Sequence, residues 1–184
     1  MKITLLGNCQ TKALTWYIQQ LNSNFDVRWV CMEAFNGKWG HHTSFHGKDI
    51  PVIVNAKESI SRLKKSDLVI FQHVKEGFSK SFNYKKLNTY LANTQSISIS
   101  SMFYDLDHPE YLEGMIERAN TFNIDIPAHK MIEQHGSKIT MQQNNHPHTF
   151  YFLELVREIC RKTGWNYYSD DQYNQYLKEG YPFG

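Results

Sequence analysis

The chain has 184 residues, enough for one domain with a sizeable core and no need of disulfide or metal staples. Its 41% hydrophobic and 14% aromatic content excludes a disordered chain, and a formal net charge of +2 gives no concentrated basic face of the kind nucleic acid requires. Cys9, Cys31 and Cys160 are odd in number, far apart and without a CxxC pair, which argues against a disulfide framework or structural zinc and for reduced, cytoplasmic thiols.

The opening Met1-Lys2-Ile3-Thr4-Leu5-Leu6 is too short an apolar run for a signal peptide or a membrane span. It reads as a strand over Ile3 to Leu6 that ends at Gly7. Ala13, Leu14, Tyr17, Ile18 and Leu21 share one face of a helix, so residues 7–11 form the strand-to-helix turn. A second strand is expected from Phe25 to Met32, with Val27, Trp29 and Cys31 alternating against Asp26, Arg28 and Val30. A loop rich in Gly and His follows, from Gly37 to Gly47, and Pro51 to Val54 reads as a further short strand. Lys57 to Lys65 reads as a helix with Ile60 and Leu63 inward. Its basic run, Arg62-Leu63-Lys64-Lys65, is a solvated face or, alternatively, a phosphate contact.

Asp67 to Phe71 is a core strand ending at Gln72-His73, and a helix covers Tyr84 to Leu91. Ser96 to Ser100 alternates strictly as a strand does. Asp107-His108-Pro109-Glu110 opens a helix, with Asp107 as cap and Pro109 in the first turn, whose stripe is Tyr111, Leu112, Met115, Ile116 and Ala119. Phe152, Leu155, Val156, Ile159 and Cys160 mark another helix, stopped by Gly164. Tyr173, Tyr176 and Leu177 suit a short terminal helix packed on the body. Strands alternating with helices predict a single α/β domain over residues 1–184, three-layered, with a mostly parallel sheet and helices on both faces. The chain carries no internal repeat, low-complexity segment or linker that would split it.

In open parallel sheets ligands sit beyond the carboxyl ends of the strands. Three polar clusters are expected there: Gly7-Asn8-Cys9-Gln10, Gln72-His73 and Ser100-Ser101. Gly7 lets the backbone turn sharply and approach a ligand. Cys9 falls at a helix N-terminus, where N–H groups and the helix dipole favour a thiolate and can hold an oxyanion or a phosphate. Asn8 and Gln10 add amide donors. The plainer alternative is that Cys9 is an inert core residue and Gly7 merely ends a strand. A thiol nucleophile needs a base, and His146, in the expected loop Asn144-Asn145-His146-Pro147-His148, is the candidate. His42 with His46 and His146 with His148 have spacings a metal could use, but no matching carboxylate motif accompanies them, so no metal site is assigned. No Walker loop or G-x-G-x-x-G occurs.

Gly-Asn-Cys-Gln directly after an N-terminal strand, a strand ending in Gln72, and a late His146-Pro147 before a C-terminal helix together resemble the polysaccharide-biosynthesis acetyltransferases typified by WcbI. The order of these elements spans most of the chain. The resemblance implies an SGNH/flavodoxin-like sheet and an acyltransferase that uses coenzyme A, as acetyl-CoA, and a sugar acceptor. It implies Cys9 where SGNH-type esterases place their serine, and His146 as base. Asn8, Gln10 and Gln72 would orient the acyl carbonyl, and Ser101 would join the substrate-binding set with Gly7. The chain departs from the esterase pattern at Gln143, where an aspartate would stand; Asp105 or Asp107 are the alternatives for orienting His146. No nucleic-acid or membrane partner is expected. The rival functions are an ester or thioester hydrolase with the same site, and a non-catalytic nucleotide or sugar-phosphate binding module in which Trp29, Trp39 and Tyr181 stack on rings.

Overall fold

Ile3, Thr4, Leu5 and Leu6 are all completely buried. A strand with no wet side belongs inside a sheet covered on both faces. That is its position in the computed structural model, which describes residues 1–32, 44–45, 48–53, 55–73, 84–102, 110–143 and 146–180. In chain order the elements are β1 (Lys2–Gly7), α1 (Cys9–Leu21), β2 (Asp26–Cys31), β3 (Ser44–Phe45), β4 (Lys48–Asp49), β5 (Val52–Ile53), α2 (Ala56–Lys64), β6 (Leu68–His73), α3 (Tyr84–Tyr90), β7 (Gln95–Ser100), α4 (Glu110–Phe122), α5 (Ala128–His135), β8 (Met141–Gln143), β9 (His146–Pro147), α6 (Thr149–Thr163) and α7 (Asp170–Glu179). The chain divides into two compact units, residues 1–98 and 99–184.

The main sheet runs β5-β2-β1-β6-β7. β1 pairs in parallel with β2 and β6, and β2 with β5. The chain therefore builds outward from β1 to one edge, then returns and builds to the other. The reversal lies between β1 and β6. This is the expected α/β architecture with a mostly parallel sheet and helices on both faces.

In the first unit the two faces are distinct. Leu6, Val30 and Phe71 share one face by register. There Leu6, Val30, Ile53 and Val69 form one core cluster with Leu63 of α2, Leu87 of α3, and Leu91. Leu5, Trp29 and Ile70 share the other face, which α1 covers, with the Trp29 indole N–H donating to Thr11 Oγ1 at 3.1 Å. α1 departs from the expected one-sided stripe: Gln10 to Ile18 are buried without a break, polar residues included. α2 also differs. Its inward residues are Ser59 and Leu63, one turn apart, while Ile60 is only half-buried.

Arg62 of α2 ties that helix to the sheet. It donates to Thr4 Oγ1 (3.1 Å), Asp26 Oδ2 (2.7 Å), the Ile3 carbonyl (3.3 Å) and the Asp26 carbonyl (2.6 Å). Its side chain is 13% exposed. The basic run it begins is therefore in part a structural clamp, not wholly a solvated face.

The second unit holds the end of β7 and the elements after it. In β7 the Ser–Ile alternation does not mark a wet and a dry face: Ile97, Ser98, Ile99 and Ser100 are all buried. α4 starts at Glu110, and the expected cap around Asp107 and Pro109 lies outside the described residues, as does the Gly- and His-rich loop apart from the paired β3 and β4. Of the α4 stripe, Met115 and Ala119 are buried and Tyr111 is exposed. α6 ends at Gly164, which adopts a left-handed conformation (φ 74°) and donates its N–H to the Cys160 carbonyl at 2.8 Å. α7 opens with a capping box between Ser169 and Gln172. The expected loop at Asn144–His148 is corrected: His146 and Pro147 form β9, antiparallel to β8, and only Asn144 and Asn145 separate the strands. Antiparallel neighbours need no longer link than this. No helix among the described residues is long and apolar enough to cross a membrane.

The Arg62 clamp is testable. Arg62→Ala is expected to lower unfolding stability by about 2 kcal/mol, since the donor leaves partly buried acceptors without partners. The hydrogen bond from Arg62 holds the Asp26 carboxyl below the usual carboxylate range. Its stabilising effect is thus full above the unfolded value and is lost as pH falls through the lower, folded value. Urea unfolding from neutral to acid pH should show a shallower acid loss for Asp26→Asn than for the native chain.

Candidate functional site

β1 ends at Gly7 and the chain turns at once into α1. Asn8 is the N-cap, its Oδ1 accepting from the Gln10 N–H at 2.9 Å. The Asn8 carbonyl accepts from the Thr11 N–H (3.1 Å), the Lys12 N–H (3.2 Å) and the Thr11 hydroxyl (2.7 Å). Across the reversal point, the completely buried Gln72 of β6 reaches the same turn. Its Oε1 accepts from the Asn8 N–H at 3.1 Å and its Nε2 donates to Gln10 Oε1 at 2.8 Å. Gly7 is required by contact: a Cβ there would lie 2.5 Å from Thr11 Cγ2 and 2.7 Å from Gln72 Oε1.

Cys9 is the first residue of α1 and is half-buried. Lys12 follows it by one turn on the same helix face and is only 6% exposed. Its Nζ lies 5.8 Å from the centroid of the Trp29 ring. Burial pushes the Lys12 ammonium below the usual lysine range, while interaction with Cys9 and Cys31 works in the opposite direction. Cys31 is the last residue of β2, in register with Gly7, and is buried. A buried lysine thus stands one helical turn from Cys9, with Cys31 at the end of the strand paired with β1. None of the three cysteines forms a disulfide.

Gly7, Asn8, Cys9, Gln10 and Gln72 are thus brought together. The amide of Gln72 is bonded to the turn itself and holds it. The N–H groups of Asn8 and Gln10 are likewise engaged within the turn. His73, beside Gln72, is buried with its ring 5.2 Å from that of Phe71. Ser101 and His146 belong to the second unit. Ser101 directly follows β7 and is 5% exposed, and the backbone of His146 pairs with Gln143. Lys12 and Cys31 were missed by sequence reasoning. The signal for Lys12 was its spacing of three from Cys9 on a helix.

Trp29 does not form a stacking platform. It is 1% exposed and its N–H is bonded to Thr11. Trp39 and Tyr181 lie outside the described residues. A groove of about 340 Å³ is lined by Lys2, Arg28, Glu58, Arg62 and Lys65 among others, but both of its arginines are paired with Asp26. Among the described residues no three His, Cys, Asp or Glu gather as a metal site; His42 and His46 lie outside them. No family model, curated protein or solved structure matches the chain.

Gln72→Leu keeps the volume but leaves the Asn8 N–H buried without its acceptor, and should cost about 1–3 kcal/mol. Gly7→Ala should cost a similar amount through overpacking. Chemical unfolding of both variants measures this, and native-like stability of Gly7→Ala would contradict the tight contact with Thr11 and Gln72.

Proposed function

We propose that the protein is an acyltransferase that accepts an acyl group from a thioester donor, acetyl-CoA, onto Cys9 and passes it to a hydroxyl or amine of a carbohydrate-like acceptor. The observation that carries this reading is the half-buried Cys9 at the N-terminus of α1, one turn before the buried Lys12 and beside the sheet's reversal point. Ligands of open α/β sheets bind at that kind of place. A neighbouring cation and a helix N-terminus both favour the thiolate, the nucleophilic form.

In the first half-reaction the Cys9 sulfur attacks the thioester carbonyl. A new carbon–sulfur bond forms, the donor's carbon–sulfur bond breaks, and the donor leaves as a thiolate that takes up a proton. In the second, the acceptor oxygen or nitrogen attacks the acyl-cysteine, loses its proton to a base, and releases the Cys9 thiolate. Lys12 stabilises the thiolate at the start and end of the cycle. The assignment of His146 as the base comes from the sequence resemblance. Without the two-residue β5, the longer strands run β2-β1-β6-β7, the start of the flavodoxin-like order, which suits an SGNH/flavodoxin-like arrangement. Thiols outside disulfides suit a reducing, cytoplasmic setting.

Intact-mass analysis after incubation with acetyl-CoA tests the proposal. The native chain should gain one acetyl group, removable by hydroxylamine as a thioester is. Cys31→Ala should still gain it and Cys9→Ala should not. Lys12→Met should slow labelling about tenfold, as loss of a charge-assisted contact does. Labelling that persists in Cys9→Ala would sink the covalent route. Donor consumed equally fast with and without sugar acceptors would make the protein a hydrolase.

A further inference from the structure

At the amino ends of its strands the first unit gathers cations that the fold leaves partly unused. Lys2 is in register with Asp26, and Thr4 with Arg28. Alternate residues of a strand share a face, so Lys2 of β1 and Asp26 and Arg28 of β2 belong to the side of the sheet that carries Leu6 and Val30. α2 packs on that side through Leu63. Along α2 and its C-cap, Glu58, Ser61, Arg62 and Lys65 recur at helical spacing and share one face. The groove of about 340 Å³ lies between that face and the strands, with Lys2 and Arg28 on one wall, Arg62 and Lys65 on the other, and the edge strand β5 beside them.

The carboxylates around the groove are engaged within the protein. Asp26 accepts from Arg62 Nη1 at 2.7 Å on one oxygen and from Arg28 Nε at 3.0 Å on the other. Asp67 accepts the Lys2 backbone N–H at 2.6 Å, and Glu58 accepts from the Asn55 amide at 2.9 Å. All three nitrogens of Arg62 are bonded, to Asp26, Thr4 and the Ile3 carbonyl. Arg28 differs. Only its Nε is bonded, and among the described residues its two terminal nitrogens have no acceptor. The ammonium groups of Lys2 and Lys65 have no partner there either.

Four cations and one carboxylate therefore line the groove, and three of the cations keep free donors. Like charges held together repel one another, and a bound anion offsets that repulsion. The free edge of the Arg28 guanidinium offers parallel N–H groups that match two oxygens of a phosphate, and the lysines add compact charges beside it. Asp26, itself clamped by Arg62, fixes the opposite edge of that guanidinium. The volume falls at the lower end of the range of roughly 300–1,000 Å³ usual for small-molecule sites, which leaves room beside a phosphate for a small body. Glu58 and Ser61 on the α2 wall suit hydroxyl groups of such a body.

We propose that this groove binds the phosphate group of a small ligand, held by Arg28, Lys2 and Lys65. The groove stands at the opposite end of β1 from Cys9, does not rest on the acyl-transfer reading, and is tested by binding alone. The full chain is titrated calorimetrically at constant ionic strength with inorganic phosphate, then with glycerol 3-phosphate, with glycerol as control. Saturable binding is expected, weakened about tenfold in Arg28→Gln and in Lys65→Gln. It is expected unchanged in Lys57→Gln, which removes an exposed charge of α2 outside the groove. Thermal unfolding of each variant verifies that it folds, and Lys2→Gln, at an exposed position, repeats the test on a third ligand group. Tighter binding of the ester than of phosphate identifies an esterified ligand, and the reverse identifies the free ion; both support the site. No saturation at millimolar concentration of either, or a loss in Lys57→Gln as large as in Lys65→Gln, overturns it, the second by showing diffuse attraction in place of a site.

Discussion

The amide of Gln72 joins the end of β6 to the start of α1, and much of the first unit's site depends on that join. The Asn8 N–H precedes the helix and cannot be satisfied within it. Gln72 Oε1 accepts it, and the other end of the same amide meets Gln10 Oε1. The approach needed for this leaves no room for a side chain at Gly7, because a Cβ would sit 2.7 Å from that oxygen. Gly7, Asn8 and Gln72 therefore express one constraint, the close passage of two strands at the sheet's reversal point. Any change that relaxes it moves the first turn of α1, and Cys9 and Lys12 move with it.

Thr11 extends the constraint to β2. Its hydroxyl donates to the Asn8 carbonyl and accepts from the Trp29 indole, while its methyl group occupies the space above Gly7. Trp29 is thereby fixed beneath Lys12. Burying an ammonium is expensive unless other groups offset the loss of water. Here the Trp29 ring, its centroid 5.8 Å from Lys12 Nζ, offers the ammonium a favourable aromatic face. Arranged in this way, the cation is held by packing one helical turn from Cys9.

Several elements are legible in the sequence because one local signal dominates. β1 is an apolar run cut off by Gly7, and α6 is an apolar stripe closed by Gly164 in the left-handed conformation. The Gly7–Gln10 turn is legible for the same reason, and so is its place at a strand's carboxyl end. What is not legible depends on partners distant in sequence. Nothing local says that Thr11, Lys12 and Thr15 would be buried with the rest of α1, or that both faces of β7 would be. α5 is short and its apolar positions are few, so it leaves little periodicity. Gln72 reads as a ligand-facing amide until its partners are known. Trp29 reads as a platform until Thr11 is seen to bond it.

The polar groups of the first unit's turn satisfy one another, and that sets what the turn can hold in place. In the first unit the backbone donors of Asn8 and Gln10 and the amide of Gln72 are bonded to one another. Such a network is rigid and has little need of a ligand to complete it. It holds Cys9, the first residue of α1, in a fixed setting. Residue types alone, Gly, Asn and Gln beside a Cys, do not reveal this; the partners of the Gln72 amide do.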